Sequence, residues 1–175
     1  MATFAIDPAH TDVLFSAKHM MVTTVRGTFS DVSGSIDIDE SEPTASKATL
    51  SVKATSVDTG FGPRDTHLRS GDFFAVETYP EIRVVSTKIR AKGGNDFVIT
   101  ADVTIKDVTK PVTLDVEFNG VATDPWGNEK AGFEATADIN RTDWGLTWNA
   151  NLEKGGVLVS EKIKLVLDVQ LAKQA

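Results

Sequence analysis

The chain has 175 residues, 41% of them hydrophobic and 25% charged, which is typical of one globular domain with a sizeable core. Its formal net charge of -7 and its scattered lysines and arginines argue against a nucleic-acid partner, because contacts to phosphates require a basic stripe. The chain has no cysteine, which excludes disulfides and thiolate catalysis, and no apolar run approaches the roughly 20 residues of a membrane helix.

Alternation of apolar and polar residues, the period of a half-buried strand, recurs along the chain. In the first such stretch, Val13, Phe15, Ala17 and His19 share one face, and Lys18 lies on the other. In chain order, the predicted strands cover about residues 12–19, 25–38, 48–55, 81–90, 97–106, 112–118, 133–139 and 163–171. The pattern therefore predicts an all-β protein with about eight antiparallel strands.

Short turn sequences separate the later strands. "KGGND" at 92–96, "KDVTKP" at 106–111 and "TDPWGNEK" at 123–130 carry the Gly, Asn, Asp and Pro that tight connections favour. Short links favour an up-and-down order, and a closed barrel removes exposed sheet edges. The sequence thus predicts an extended eight-stranded antiparallel barrel in a single domain over residues 1–175, either filled by side chains or holding one small ligand.

Small residues on the inward faces favour the second of these alternatives. Five alanines are predicted to point inward: Ala48, Ala54, Ala101, Ala135 and Ala137. They leave room between the larger side chains, which a tightly filled small barrel does not need. We therefore expect space along the barrel axis.

One segment interrupts the strand pattern, and "RDTHLRSGDFF" at 64–74 lies within it. Pro63 suits the first turn of a helix and Gly71 its end, which predicts a short helix and loop around residues 62–75. Asp65 and Arg69 have the spacing of a helical ion pair. Apolar anchors at Leu68, Phe73 and Phe74 would dock this segment on a barrel mouth as a plug or lid. Contact with a ligand head group and catalysis are the alternatives.

Residues that could support catalysis are few. His10, His19 and His67 could form a zinc site only if the fold gathers them, and no HExxH, GxSxG or GxGxxG motif is present. His19 lies on the apolar face, either as a core residue or as a polar contact inside a ligand cavity. In "NRTDWGLTWN" at 140–149, Trp144 and Trp148 are expected to seal the barrel base or to line a ligand mouth.

Several longer stretches resemble one known family. "FAIDPAHTDVLFSAKHMMVTTVRGTFSDVSGSIDID", "HLRSGDFF", "VTKPV" and "INRTDWGL" occur in the order and spacing of the YceI-like family, nearly from end to end. The resemblance implies a lipocalin-like barrel that encloses an apolar tunnel. It implies binding, carriage or storage of a polyisoprenoid, an isoprenoid quinone or another long-chain lipid, and no catalytic constellation or cofactor.

Strand parity and this resemblance together predict the ligand contacts. The candidates are Phe15, His19, Phe29, Leu50, Val52, Leu68, Phe73, Phe74, Ile99, Val103, Phe118, Phe133 and Trp148. We expect neither a cofactor nor a metal nor an enzymatic activity. The alternative is a histidine-dependent or metal-dependent enzyme acting on a small or amphiphilic substrate.

The beginning of the sequence and its overall composition bear on two further expectations. "MATFAIDPAH" has neither a basic n-region nor a long apolar h-region, so a cytoplasmic location is expected if Met1 is the natural start. The sequence leaves the oligomeric state open, with a homodimer among the options.

Overall fold

The computed structural model describes residues 1–175, and most of them lie in β-strands. The strands are β1 (Ala2–Ile6), β2 (Asp12–His19), β3 (Thr23–Phe29), β4 (Val32–Ile38), β5 (Lys47–Lys53), β6 (Val57–Asp58), β7 (Glu81–Gly93), β8 (Asp96–Ile105), β9 (Val108–Thr123), β10 (Glu129–Asn140) and β11 (Lys162–Lys173). One α-helix, α1, covers Gly62–Arg69. Short 3-10 helices cover Pro8–His10, Pro43–Ala45, Ala54–Ser56 and Arg141–Trp144.

The strands form one closed antiparallel barrel with eight positions around its circumference. Three positions each hold two strands that lie end to end: β1 with β2, β3 with β4, and β5 with β6. In these positions β1 pairs with β4 and β2 with β3, while β5 pairs with β4 and β6 with β3. β7 to β11 follow in chain order, and β11 closes the barrel by pairing with both β1 and β2. The predicted eight-stranded, up-and-down antiparallel barrel is therefore confirmed.

Local sequence explains the interruption between β1 and β2. Pro8 has no N–H to contribute to a strand ladder, and the Asp7 carboxylate caps the following 3-10 turn by accepting from the Ala9 N–H at 3.1 Å. The same carboxylate accepts from Lys130 Nζ at 3.3 Å and from Gln170 Nε2 at 3.2 Å. These contacts fasten the interruption to β10 and β11, so the barrel stays closed across it.

One end of the barrel, called the packed end here, is filled by side chains. Its buried members include Val13, Phe29, Val32, Val52, Val57, Phe73, Val103, Ile105, Val112, Trp144 and Leu146. The predicted insertion around residues 62–75 lies here: α1 and the loop after it pack Leu68 and Phe74 against this core, and Phe73 belongs to it. The segment therefore plugs this end of the barrel.

The predicted ion pair within α1 is wrong. Asp65 is buried, and its carboxylate accepts from the backbone N–H and the hydroxyl of Thr59 at 2.9 and 2.6 Å. Arg69 instead donates to the carbonyls of Thr55 and Val57, both at 3.0 Å. Each charged side chain therefore satisfies backbone groups in the chain before the helix. Both charges fasten α1 to the barrel wall.

A buried arginine organises the connection between β10 and β11. Arg141 is 4% exposed, and its guanidinium donates to the carbonyls of Leu146 at 2.6 Å, Trp148 at 2.9 Å, Val159 at 3.2 Å and Ser160 at 2.9 Å. The planar guanidinium carries five N–H donors, which makes it suited to hold several carbonyls at once. One side chain therefore ties both halves of this connection together.

Trp144 seals the packed end in the way that the sequence indicates. Its side chain is buried, and its indole N–H donates to the Val103 carbonyl of β8 at 2.9 Å. Burying a tryptophan gains apolar area, and this hydrogen bond satisfies its one polar atom. The residue therefore joins the 3-10 turn after β10 to the barrel interior.

We expect Trp144→Phe to lower the free energy of unfolding by about 1–3 kcal/mol, because the Val103 carbonyl loses its buried donor and a void remains. Urea denaturation measures this change. Trp126, which is 83% exposed, supplies the control, because Trp126→Phe should alter stability by less than about 0.5 kcal/mol. Equal effects at the two positions would contradict the structural role of Trp144.

Candidate ligand-binding cavity

The other half of the barrel is hollow. A cavity of about 420 Å³, called the main cavity here, is lined by 24 residues, of which 19 are hydrophobic. Ala48, Ala101 and Ala135 are among them, whereas Ala54 and Ala137 lie outside the lining. The space that small inward residues predict is therefore present, and it is confined to one part of the barrel.

The main cavity opens at the end of the barrel opposite the packed end. The loop after β4 contributes Asp39, Glu40, Pro43 and Ser46 to the lining, and β9 contributes Val121, which is 49% exposed. Because the exposed lining residues cluster here, this loop and the end of β9 form the mouth. The packed end closes the opposite side, so the cavity is a blind pocket and not a tunnel open at both ends.

Four of the predicted ligand contacts line the main cavity: Leu50, Ile99, Phe118 and Phe133. The Phe118 and Phe133 rings lie side by side near the mouth, with their centroids 5.0 Å apart. The other nine lie outside the lining: Phe15, His19, Phe29, Val52, Leu68, Phe73, Phe74, Val103 and Trp148. Most of these nine pack in or against the core of the packed end. The roles of all thirteen in binding stay predictions.

Two β-bulges bring residues into the lining that simple alternation misses. In β7, Ser86 faces Ala101 and Lys88 faces Thr100, so Thr87 is an extra residue. The bulge inverts the parity of β7, and Val84, Ser86 and Ile89 therefore all line the cavity. Strict alternation would have placed Ile89 on the outer face.

The second bulge lies in β9. Phe133 of β10 faces Phe118 while Gly132 faces Gly120, which leaves Asn119 unpaired. Phe118 and Val121 consequently both face the cavity. Gly120 has a φ of 111°, a conformation that favours glycine, and this glycine was the one sequence signal of the bulge.

Some of the missed lining residues had a readable signal. β1 and β4 contribute Phe4, Ile6, Ile36 and Ile38. Each pair alternates with polar or small residues, so applying the same parity rule to the first six residues and to the end of the 25–38 stretch would have found them. The predicted strands omit residues 2–6, and the 25–38 stretch was predicted without an inward face.

Asp39 is a polar residue at the mouth of the main cavity. The Asp39 carboxylate holds the loop turn by accepting from the hydroxyl and N–H of Ser41 at 2.7 and 3.0 Å and from the Glu42 N–H at 3.0 Å. The hydrogen bond from the Ser41 hydroxyl, followed by that from the Glu42 N–H, lowers the pKa of Asp39 from its ordinary value. Asp39 is therefore a fixed negative charge at the mouth near neutral pH.

The three histidines lie apart. His10 Nδ1 is 3.1 Å from an Asp7 carboxylate oxygen, while His67 Nε2 is 2.9 Å from a carboxylate oxygen of Asp72. The His67 ring also packs edge-on against Trp148, with the centroids 4.5 Å apart. His19 pairs through its backbone with Val159. No three His, Asp or Glu side chains meet in a metal-binding arrangement, so the fold does not gather the imidazoles.

A closed eight-stranded antiparallel barrel around an apolar pocket has the lipocalin-like architecture. The family model described as a YceI-like domain matches residues 4–171. The chain belongs to the YceI-like family, as its sequence motifs predict.

Comparisons with individual proteins agree with this assignment. A UPF0312 protein of Staphylococcus epidermidis is 39% identical over 165 residues, which cover 94% of each chain. The crystal structure of a Campylobacter jejuni YCEI protein matches with a TM-score of 0.78 and 31% identity over 90% of both chains. A polyisoprenoid-binding domain from Saccharophagus degradans has the same fold, with a TM-score of 0.74 and 14% identity over 99% of this chain and 100% of that domain.

None of the helices is both long enough and apolar enough to cross a bilayer.

Proposed function

We propose that the protein binds one long-chain amphiphile in the main cavity, such as a polyisoprenoid or an isoprenoid quinone, for carriage, storage or protection. The observation that carries this proposal is the apolar pocket of about 420 Å³, which has the loop after β4 at its mouth and the packed end opposite. Its volume lies within the range of about 300–1,000 Å³ that is usual for small-molecule sites. The Saccharophagus degradans neighbour, which is named for polyisoprenoid binding, supports the choice of ligand class.

Apolar burial is sufficient to drive such binding. Each 100 Å² of apolar ligand surface removed from water contributes about 2.5 kcal/mol, from which the cost of ordering the chain is subtracted. Affinity then depends on the length of chain that enters the pocket, and the protein needs no charged contact to retain it. A binding role also agrees with the separation of the three histidines, which leaves the enzymatic alternative without a gathered site.

Lipid extraction tests this function directly. The protein is purified from its native host, extracted with organic solvent and analysed by mass spectrometry beside a mock purification from a strain that lacks the protein. We expect one long-chain lipid class to be enriched at up to one molecule per chain. The emptied protein should then bind N-phenylnaphthylamine, an apolar fluorophore. Absence of an enriched lipid together with absence of fluorophore binding would contradict the proposal.

A further inference from the structure

Two serine hydroxyls interrupt the apolar lining of the main cavity on a single wall. Ser86 lies on β7, and Ser46 precedes β5, the strand paired with β7. Leu50 of β5 faces Val84 of β7, so two residues further along each strand Ala48 lies beside Ser86. Ser46 lies two residues before Ala48, nearer the mouth. The two hydroxyls are therefore neighbours on the wall between the mouth and the cavity floor.

The protein already uses the acceptor side of each hydroxyl. Ser86 Oγ accepts the Ala48 N–H at 2.8 Å, and Ser46 Oγ accepts the Asp39 N–H at 2.9 Å. A serine hydroxyl has one hydrogen to donate, and neither serine donates it to another protein group. Each therefore retains one free O–H donor, held in place by a backbone N–H.

The bulge at Thr87 explains why Ser86 is positioned in this way. The β5–β7 ladder ends at the Thr49–Val85 pair, next to the extra residue Thr87, and the Ser86 side chain accepts the Ala48 N–H in place of a backbone carbonyl. Because this bond joins β5 and β7, the barrel itself fixes the position of the hydroxyl oxygen. The polar wall is therefore preorganised before any ligand enters.

A bound hydrocarbon would leave both donors without partners. When a lipid displaces water from an apolar pocket, an unpaired donor opposes binding, whereas an acceptor oxygen on the ligand restores the hydrogen bond. The wall thus favours a lipid with a carbonyl, ester, amide or ether oxygen over an oxygen-free chain of equal length.

The charged residues at the mouth limit the class of ligand further. The lining contains two acidic residues, Asp39 and Glu40, and no basic residue. One oxygen of the Asp39 carboxylate is occupied by the loop turn. Lys47, next to Ser46, lies outside the lining and is exposed. An anionic head group beside the serines would meet these carboxylates with no cation to offset the repulsion.

Building on the proposed function, we propose that Ser46 and Ser86 bind a neutral acceptor oxygen of the ligand, and that Asp39 and Glu40 disfavour carboxylates and phosphates. The ligand class is therefore a neutral, oxygen-bearing lipid whose oxygen lies beside this wall while its chain fills the rest of the cavity.

Three competitors with the same number of carbons test this proposal: pentadecane, methyl tridecyl ketone and pentadecanoate. Each displaces N-phenylnaphthylamine from the emptied protein at neutral pH. We expect the ketone to bind about fivefold more tightly than pentadecane, the effect of one net hydrogen bond, and pentadecanoate to bind more weakly than the ketone. In the S46A/S86A variant the preference for the ketone should fall to about onefold, with pentadecane binding more tightly than before because it no longer leaves two donors without partners. In Asp39→Asn the affinity for pentadecanoate should rise at least about twofold.

The controls separate this proposal from the function on which it rests. Ser33→Ala removes an exposed serine of β4 outside the lining and should leave the ketone preference unchanged. The Ser86 hydroxyl satisfies an N–H of strand β5, whereas the Ser46 hydroxyl satisfies one in the loop after β4. Ser46→Ala alone therefore serves as a second variant that leaves the β5–β7 pairing intact, and it should lose about half of the ketone preference on a logarithmic scale. Equal affinity of the wild type for ketone and alkane, or loss of the preference in Ser33→Ala, would overturn the serine assignment and leave lipid binding standing. Failure of every competitor and of the fluorophore to bind would instead remove the proposed function.

Discussion

Replacing Ile99 with glutamate is expected to weaken binding of N-phenylnaphthylamine by at least about a hundredfold. Ile99 lines the main cavity on β8, where it faces Leu114 on β9 and Ile89 on β7, both of which also line it. A carboxylate in this apolar surrounding must either keep water in the pocket or be buried without a partner, which costs several kcal/mol. Since about 1.4 kcal/mol corresponds to a tenfold change in affinity, a hundredfold loss is the minimum expected. Fluorescence titration of the emptied proteins measures it.

Two further variants separate loss of the cavity from general damage. Thr113→Glu places the same charge on an exposed position of β9, outside the lining, and should bind the fluorophore like the wild type. Ile99→Leu conserves volume and should retain affinity within about threefold. If Ile99→Glu folds, as judged by its unfolding transition, and still binds the fluorophore normally, the main cavity is not the binding site.

Arg141→Met is expected to reduce the free energy of unfolding by about 3–5 kcal/mol. The buried guanidinium donates to four backbone carbonyls, and methionine offers them nothing while filling a similar volume. Each carbonyl left unpaired in the packed end adds to the loss. Because typical domains are stable by only about 5–15 kcal/mol, a change of this size should be plain in urea denaturation.

Matched substitutions test whether geometry or charge matters at this position. Arg141→Lys keeps the charge and loses the planar fork, so it should recover less than half of the stability. Arg83→Met, at an exposed position of β7, should change stability by less than about 0.5 kcal/mol. A full rescue by lysine would show that the charge, and not the set of four hydrogen bonds, holds the β10–β11 connection.

The sequence allowed the barrel to be predicted because alternation reports directly which face of a strand is buried. Alternation says nothing about height along the barrel axis, so Val103 and Ile99 look equivalent in β8 although only Ile99 lines the cavity. Height depends on how neighbouring strands are staggered, which is a property of the whole sheet. For this reason five candidate contacts from strands lie outside the lining of the pocket: Phe15, His19, Phe29, Val52 and Val103.

Bulges set a second limit on prediction from sequence. The extra residue Thr87 in β7 has no unusual chemistry, and its effect on Ser86 and Ile89 depends on the partner strand. The plug shows a third limit: Leu68, Phe73 and Phe74 were readable as anchors, but the partners of Asp65 and Arg69 were not. Spacing within a helix cannot reveal competing partners such as Thr59 or the Thr55 carbonyl, which only the folded chain brings near.

Closure of the cavity by the packed end has a kinetic consequence. A ligand that enters by the mouth must leave by the mouth, so an incoming molecule cannot push the bound one out from behind. Exchange is therefore dissociative: the release rate is set by withdrawal of the bound chain and does not rise with the concentration of a competitor. Any partner that delivers the lipid to the protein or takes it away has to contact the same end of the barrel, where the loop after β4 lies.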